Sequence, residues 1–231
     1  MAGKRKRRAA RGAPGDSRGR GFPPVAGVGC DDIGGAAPPA GGLAELAELA
    51  ELAAQLLDEH GLHGYEAAKR SAARRLRRSS AEVARLDNRQ IAEALRRRQS
   101  GPQATAQLTE RRREALRAMD LLADFSPRAT GGLLDGLRRG EPGFTLHLFA
   151  DAPEPVLLFL AERRIPAESG DVRLRFAGGI ERDIPELSFL AGPWRVRLLI
   201  FDDRAGAVAP LAEVDGKPLR RLNRDRLAAL L

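Results

Sequence analysis

Two adjacent glycines followed by an acidic residue are the residues of this sequence whose types and spacing best suit ligand chemistry. Gly131 and Gly132 precede two leucines and Asp135. Glycines at the start of a helix leave backbone N–H groups accessible, and such groups bind phosphate. An ordinary turn from a loop into a helix explains the segment as well. Gly131, Gly132 and Asp135 are therefore the candidate nucleotide-binding residues.

The candidate metal ligands are few. Asp202 and Asp203 follow an apolar run and precede an Arg-Ala-Gly segment, a pattern that a solvated hairpin turn explains equally well. His60 and His63 have a spacing that suits two ligands on one ion, but no third ligand accompanies them, and histidine is favoured at a helix end by the dipole. His147 lies within a predicted strand, as a packed or surface residue. We therefore expect no metal site, and the catalytic residues are unknown.

Most of the common motifs of nucleotide-dependent and hydrolytic enzymes are missing from the sequence. It contains no P-loop, no GxSxG segment and no HExxH segment. Gly27 and Gly29 begin a spacing like that of dinucleotide-binding folds, but Asp32 stands in place of the third glycine. These enzyme classes are excluded as first interpretations.

The positive charge is concentrated at the start of the chain. Residues 1–20 hold eight basic side chains and one acid, a net charge of +7, whereas the rest of the chain carries about +1. The glycine, proline and arginine content of residues 1–42 predicts a disordered tail. Such a tail attracts phosphates, so residues 4–20 are one candidate contact with nucleic acid, although a solubilising role or a mis-annotated extension is equally open.

Helices are predicted for most of residues 43–124. A threefold Leu-Ala-Glu repeat begins a helix at Leu43, and Gly61 is expected to end it. Residues 64–99 carry a net charge of +7 and are predicted to form helices over 65–78 and 88–99, the second opened by a capping box. Their arginines have a natural partner in the acidic first helix, but they are also a second candidate surface for nucleic acid. A further helix is expected over 102–124.

Strand-like patterns follow. A short helix over 131–139, a strand over 144–150 and a helix over 152–163, capped by Asp151, are predicted first. Three strands near 171–177, 184–190 and 194–201 and a final helix over 223–231 come next.

The fold class expected from this order is α+β, with a helical N-terminal half followed by a small mixed-sheet α/β domain. We expect domains at 1–42, 43–125 and 126–231. The apolar runs are too short to span a bilayer, so no membrane contact is expected. The single cysteine, Cys30, favours a reducing compartment and hence the cytoplasm.

The order of a Gly-Gly turn, a short helix and a strand ending near an acid resembles the core of the nucleotidyltransferase-like superfamily that includes DNA polymerase β. Residues 65–70 and 88–95 also resemble the helical part of a group of uncharacterised bacterial proteins carrying that core. The similarity covers about residues 62–231. It implies a nucleotidyltransferase-like fold for the C-terminal domain.

The resemblance also implies where metal ligands should stand. Enzymes of the superfamily hold two Mg²⁺ ions with two carboxylates one residue apart on one strand and a third carboxylate on a later strand. Here the paired positions align with Gly143 and Thr145, and the later strand offers Val196 and Arg197. Neither pair supplies the required acids.

We therefore expect a non-catalytic binding or regulatory module whose partner is a nucleotide or another protein. One alternative is an active Mg²⁺-dependent nucleotidyltransferase with displaced acids, which requires Asp135 and Asp202 to lie within about 6 Å of each other. The other alternative is a nucleic-acid-associated protein that acts through its basic tail and helices.

Overall fold

A computed structural model describes residues 40–59, 64–138, 140, 142–202 and 208–231, although for residues 40 and 41 it describes the backbone only. The predicted tail up to residue 39, together with His60, His63 and Asp203, lies outside the described residues. Within the described ranges, no helix combines the length and the apolar character that crossing a membrane requires.

Four helices form the first layer of the structure and enclose one hydrophobic core. They are α1 (Ala40–Glu59), α2 (Tyr65–Leu76), α3 (Ser80–Arg85) and α4 (Asn88–Arg98). The core contains Leu49 and Leu57 from α1, Tyr65 from α2 and Ile91 and Leu95 from α4, all at most 1% exposed. The helical periodicity predicted these faces.

The acidic first helix is the electrostatic partner of the basic helices, as predicted. Arg78 contacts Glu48 at 3.0 Å and Glu45 at 3.5 Å. Arg97 reaches Glu51 at 2.6 Å and Arg98 reaches Glu59 at 3.0 Å. These exposed pairs add little stability individually, but they neutralise part of the positive charge of residues 64–99.

Capping residues determine where the short helices begin. The Asp87 side chain caps α4 and Gln90 bonds back to the Asp87 backbone, which confirms the predicted capping box. Ser79 and Glu82 form a second capping box, which opens α3. The sequence interpretation missed α3, although Ser79-x-x-Glu82 is a helix-start pattern.

The fifth helix belongs to the core of the sheet. Helix α5 (Pro102–Leu121) and the residue after it carry Ala115, Met119 and Leu122 into a second hydrophobic core with Leu146 and Leu198. Helix α5 therefore packs with the sheet, in a core separate from that of α1, α2 and α4. Both cores belong to one compact unit, Pro38–Leu231.

The second half of the chain builds a five-stranded mixed sheet, which confirms the α+β class. The strands are β1 (Arg128–Ala129), β2 (Gly143–Phe149), β3 (Glu168–Arg175), β4 (Glu181–Ala191) and β5 (Trp194–Phe201), in the order β1-β2-β5-β4-β3. Strands β2 and β5 are parallel, and every other neighbouring pair is antiparallel. Helices α6 (Gly132–Asp135), α7 (Glu154–Glu162) and α8 (Arg224–Ala228) complete the domain, with 3₁₀ turns at Ala123–Phe125 and Ala177–Gly179.

Three local predictions are wrong. The helix expected over 131–139 is a single turn, because Gly136 adopts a left-handed conformation (φ 79°) and ends it. Asp151 does not cap α7, whose N-cap is Pro153 without a side-chain hydrogen bond. The two-residue strand β1 was not predicted, since two residues are too few for an alternating pattern to be recognised.

The two faces of the sheet differ. On the closed face, Leu146, Leu148 and Leu198 are fully buried beneath α5, α7 and α8. On the opposite face, called the open face below, the alternate residues of β2 and β5 are directed away from these helices. The half of the open face near the C-terminal ends of β2 and β5 is apolar, with Phe176 packed near Leu199 and Phe201. The other half is polar.

Candidate functional site

Three of the four positions that the family resemblance assigns to metal ligands lie together on the polar half of the open face. Gly143 pairs with Arg195 and Thr145 pairs with Arg197 in the parallel register of β2 and β5. Paired residues project to the same face of a sheet, so Thr145 and Arg197 are neighbours. Val196 is buried on the closed face and is no candidate ligand.

Gly143 has no space for a side chain. A Cβ atom built on Gly143 would lie 2.3 Å from the carbonyl oxygen of Arg195 and 3.2 Å from its carbonyl carbon. Both atoms are backbone atoms, so the strands would have to separate before any side chain fitted. The structure is therefore incompatible with a carboxylate at position 143 in this register.

Arginines take the place of acids on the neighbouring strand. Both oxygens of Glu186 accept hydrogen bonds from Arg197, each at 2.6 Å. The hydrogen bonds to Glu186 raise the pKa of the Arg197 guanidinium, so it is a permanent cation. Arg195 donates to Ser188 Oγ at 3.3 Å and contacts Glu168 at 3.1 Å.

The Gly131-Gly132 turn lies at the same end of the sheet as Thr145. Thr130 follows Ala129, whose partner in the register is Leu146, so Thr130 comes beside Thr145. Gly131 has φ 56°, which glycine adopts without strain, and a Cβ atom on Gly132 would lie 2.3 Å from the carbonyl oxygen of Leu137. The local backbone geometry therefore accounts for glycine at both positions without a ligand.

The backbone N–H groups of this turn are largely satisfied within the turn. Leu134 N donates to the carbonyl of Gly131 at 2.8 Å, Asp135 N donates to the same oxygen at 3.2 Å, and Leu133 N donates to the carbonyl of Thr130 at 3.4 Å. The four-residue helix α6 is too short to form a phosphate site by its N-terminus alone.

Two arginines of α5 hold the turn from the other side. Arg111 Nη2 donates to the carbonyl oxygens of Gly132 at 2.9 Å and Gly136 at 3.2 Å, and Arg112 Nε donates to that of Leu133 at 2.9 Å. Arg111 is 4% exposed, and burial lowers the pKa of its guanidinium. Sequence reasoning missed this role, because nothing in the local sequence distinguishes an arginine with a buried partner from one on the helix surface.

Two buried polar atoms beside the turn make no hydrogen bond within the described part of the chain. They are Thr130 Oγ1 and Arg111 Nε, in residues that are 3% and 4% exposed. A buried polar group without a partner is uncommon and indicates a water or a ligand group that the protein itself does not supply. Both atoms are enclosed by protein, Thr130 Oγ1 beside Thr145 and Arg111 Nε on helix α5, so neither is exposed on the open face.

The predicted acidic candidates do not converge. Asp135 Oδ1 accepts from Leu137 N at 2.9 Å, at the end of the sheet where β2 begins. Asp202 follows Phe201, the register partner of Phe149, at the end where β2 finishes. A seven-residue strand separates the two ends by about 20 Å. Among the described residues, no group of three or more His, Cys, Asp or Glu side chains is arranged to hold a metal ion.

His147 occupies the boundary between the polar and apolar halves of the open face. It is 1% exposed, and its Nδ1 accepts a hydrogen bond from Arg221 Nε at 2.9 Å. Burial, with a smaller contribution from Arg221, lowers the pKa of His147 to about 3. The imidazole is therefore neutral at pH 7 and its ring centre lies 4.6 Å from that of Phe201, so of the two predicted states, packed or surface, the packed one is observed.

Comparison with protein-family models, curated proteins and solved structures finds no match to this chain.

Proposed function

We propose that the sheet domain is a nucleotidyltransferase-like module that lacks the paired metal-binding carboxylates and acts by binding a ligand without catalysing nucleotidyl transfer. The observation that carries the proposal is the identity of the three aligned positions on the open face. Gly143 has no space for a side chain, Thr145 carries no charge, and Arg197 is a cation.

Charge at this site argues against two-metal chemistry. Two Mg²⁺ ions require several carboxylate oxygens to offset their charge. The carboxylate of Glu186, on the adjacent strand β4, is engaged through both oxygens by Arg197. A metal ion there would be repelled by the guanidinium instead of attracted, and Asp135 and Asp202 are too far apart to replace the missing pair.

The same residues suit an anionic ligand bound without a metal. Arg197 and Arg195, paired with Glu186 and Glu168, place two guanidinium groups on this face, and Thr145 is the strand neighbour of Arg197 and carries a hydroxyl. Guanidinium and hydroxyl groups are common ligands of phosphate. A phosphate-bearing nucleotide is therefore the ligand class that we propose, in a cytoplasmic protein as the single cysteine suggests.

The test is isothermal titration of the full chain with ATP, GTP, CTP and UTP, with and without Mg²⁺, combined with a product assay. We expect Mg²⁺-independent binding without turnover. Arg197→Gln should weaken binding roughly tenfold, the effect of one charge-assisted contact. Arg173→Gln is the matched control, because Arg173 is also a strand arginine paired with a glutamate, Glu181, but lies on the edge strand β3.

Two results would overturn the proposal. Mg²⁺-dependent turnover would establish an active enzyme and direct attention to the alternative acids. Absence of both binding and turnover with all four nucleotides would eliminate the nucleotide ligand and favour a protein partner.

A further inference from the structure

The basic helices retain exposed arginines after their pairing with α1. Residues 64–99 hold eleven basic side chains, of which Lys69, Arg78, Arg97 and Arg98 form ion pairs. The other seven are exposed and pair with no acidic residue in the part of the chain that the structure describes. They are Arg70, Arg74, Arg75, Arg77, Arg85, Arg89 and Arg96.

Three of these arginines line one groove. Arg70, Arg74 and Arg77 border a surface groove of about 510 Å³ between α2 and α3. The rest of its lining is Ala73, Val83, Ser80 and the ion-paired Arg78. Arg70 and Arg74 are one turn apart on α2, about 6 Å along its axis, and Arg77 is the left-handed residue that ends the helix. The groove therefore presents a row of three cations over an apolar floor.

We infer that this groove binds the phosphate backbone of nucleic acid. Three arginines without carboxylate partners form a site whose complement is a row of negative charges. The planar guanidinium group matches phosphate in geometry and stacks on bases, and the apolar floor accepts sugar or base surface. Arg78, which also lines the groove, is paired with Glu45 and Glu48 of α1 and with Glu82 of α3. No acidic residue of the described chain pairs with Arg70, Arg74 or Arg77.

This inference is independent of the proposed nucleotide site, since the groove lies on the helical layer and not on the open face. The N-terminal segment adds to it electrostatically, because residues 1–20 carry a net charge of +7. Charge of that kind strengthens binding to any polyanion through counterion release. A test must therefore separate the groove from general attraction.

The experiment uses the full chain, so that the contribution of the basic tail is common to all variants. The groove variant is Arg70→Gln, Arg74→Gln and Arg77→Gln combined. The matched control combines Arg75→Gln, Arg89→Gln and Arg96→Gln, which removes the same charge from exposed positions of α2 and α4 outside the groove. Glutamine has a helix propensity close to that of arginine, and equal melting temperatures verify that both variants are folded.

Binding of a fluorescent oligonucleotide, single-stranded in one arm and duplex in the other, is measured by anisotropy from about 50 to 200 mM salt. We expect the groove variant to bind roughly tenfold more weakly or worse, with a salt slope reduced by about 2 for single strands or about 2.7 for duplex, as three lost phosphate contacts imply. The control variant should retain most of the affinity and slope.

Equal losses of oligonucleotide affinity in the two variants would show that only the total positive charge matters, and would overturn the inference. No loss in the groove variant would overturn it as well. Labelled polyglutamate serves as a third probe. If the groove substitutions weaken polyglutamate binding more than they weaken oligonucleotide binding, the partner is an acidic protein segment and the nucleic-acid inference is wrong.

Discussion

The buried histidine of the open face makes the stability of this protein depend on pH in a direction that can be calculated. His147 is 1% exposed and its pKa is lowered to about 3, first by burial and then by Arg221. In an unfolded chain the pKa of histidine is about 6.5. Below that pH the unfolded state takes up a proton that the folded state excludes, so acid favours unfolding.

The size of the effect follows from the two values. Between pH 6.5 and 3, each unit of decrease removes about 1.36 kcal/mol from the free energy of unfolding. At pH 5 the accumulated loss at His147 is about 2 kcal/mol relative to pH 7.5.

The perturbation is His147→Asn, whose amide oxygen can take the place of Nδ1 as the acceptor for Arg221. Urea unfolding of both proteins at about pH 7.5 and about pH 5 measures the two free energies of unfolding. We expect the variant to be less stable at the higher pH and to lose about 2 kcal/mol less on acidification. Comparison of the two proteins cancels the titration of all other groups.

An identical pH dependence in the two proteins would refute this reasoning. It would mean that His147 is protonated as readily in the folded protein as in the unfolded chain. The open face would then admit solvent at His147, and the described packing against Phe201 and Arg221 would not persist in solution.

Three further variants test the close contacts of the fold, each by urea unfolding. Gly143→Ala should lower the free energy of unfolding by about 1–3 kcal/mol, because the added Cβ meets the backbone of Arg195. Gly170→Ala in β3 is the control and should lower it much less, since nothing lies within 4 Å of the added Cβ. Equal losses of stability would contradict the close approach at Gly143. Asp87→Ala should lose about 1 kcal/mol by removing the cap of α4, and Asp87→Asn should keep most of it. Arg111→Gln should lower the free energy of unfolding by about 2–3 kcal/mol, because the charged hydrogen bonds to the carbonyls of Gly132 and Gly136 disappear. An unchanged stability would show that the turn keeps its conformation without Arg111.

The helices were the most predictable part of the fold. Helix α4 was predicted over 88–99 and extends over Asn88–Arg98, because Asp87 and Gln90 form a local capping box and Ile91 and Leu95 repeat at helical spacing. Such features involve neighbours in sequence and need no knowledge of the tertiary structure. Helix α6 was overestimated because the interpretation did not use Gly136 as its local stop signal. The two arginines of α5 that bind its carbonyls come from a distant segment and could not be predicted locally.

The candidate site was only partly predictable. That positions 143, 145 and 197 carry no acid is visible in the sequence once the resemblance is accepted. That Thr145 and Arg197 adjoin on one face depends on the parallel register of β2 and β5. The engagement of Glu186 by Arg197 is a contact between strands that no local pattern announces.

By itself, the sequence determined the α+β class and the acidic partner of the basic helices, because each follows from composition, periodicity or nearby charge. Only the tertiary structure decided that Asp135 and Asp202 stand at opposite ends of the sheet, that Gly143 has no space for a side chain, and that Arg111 is buried under the glycine turn. Those facts depend on strand register and on helix packing between distant segments. Such contacts are selected by the collective burial of the core and not by any local preference of the residues.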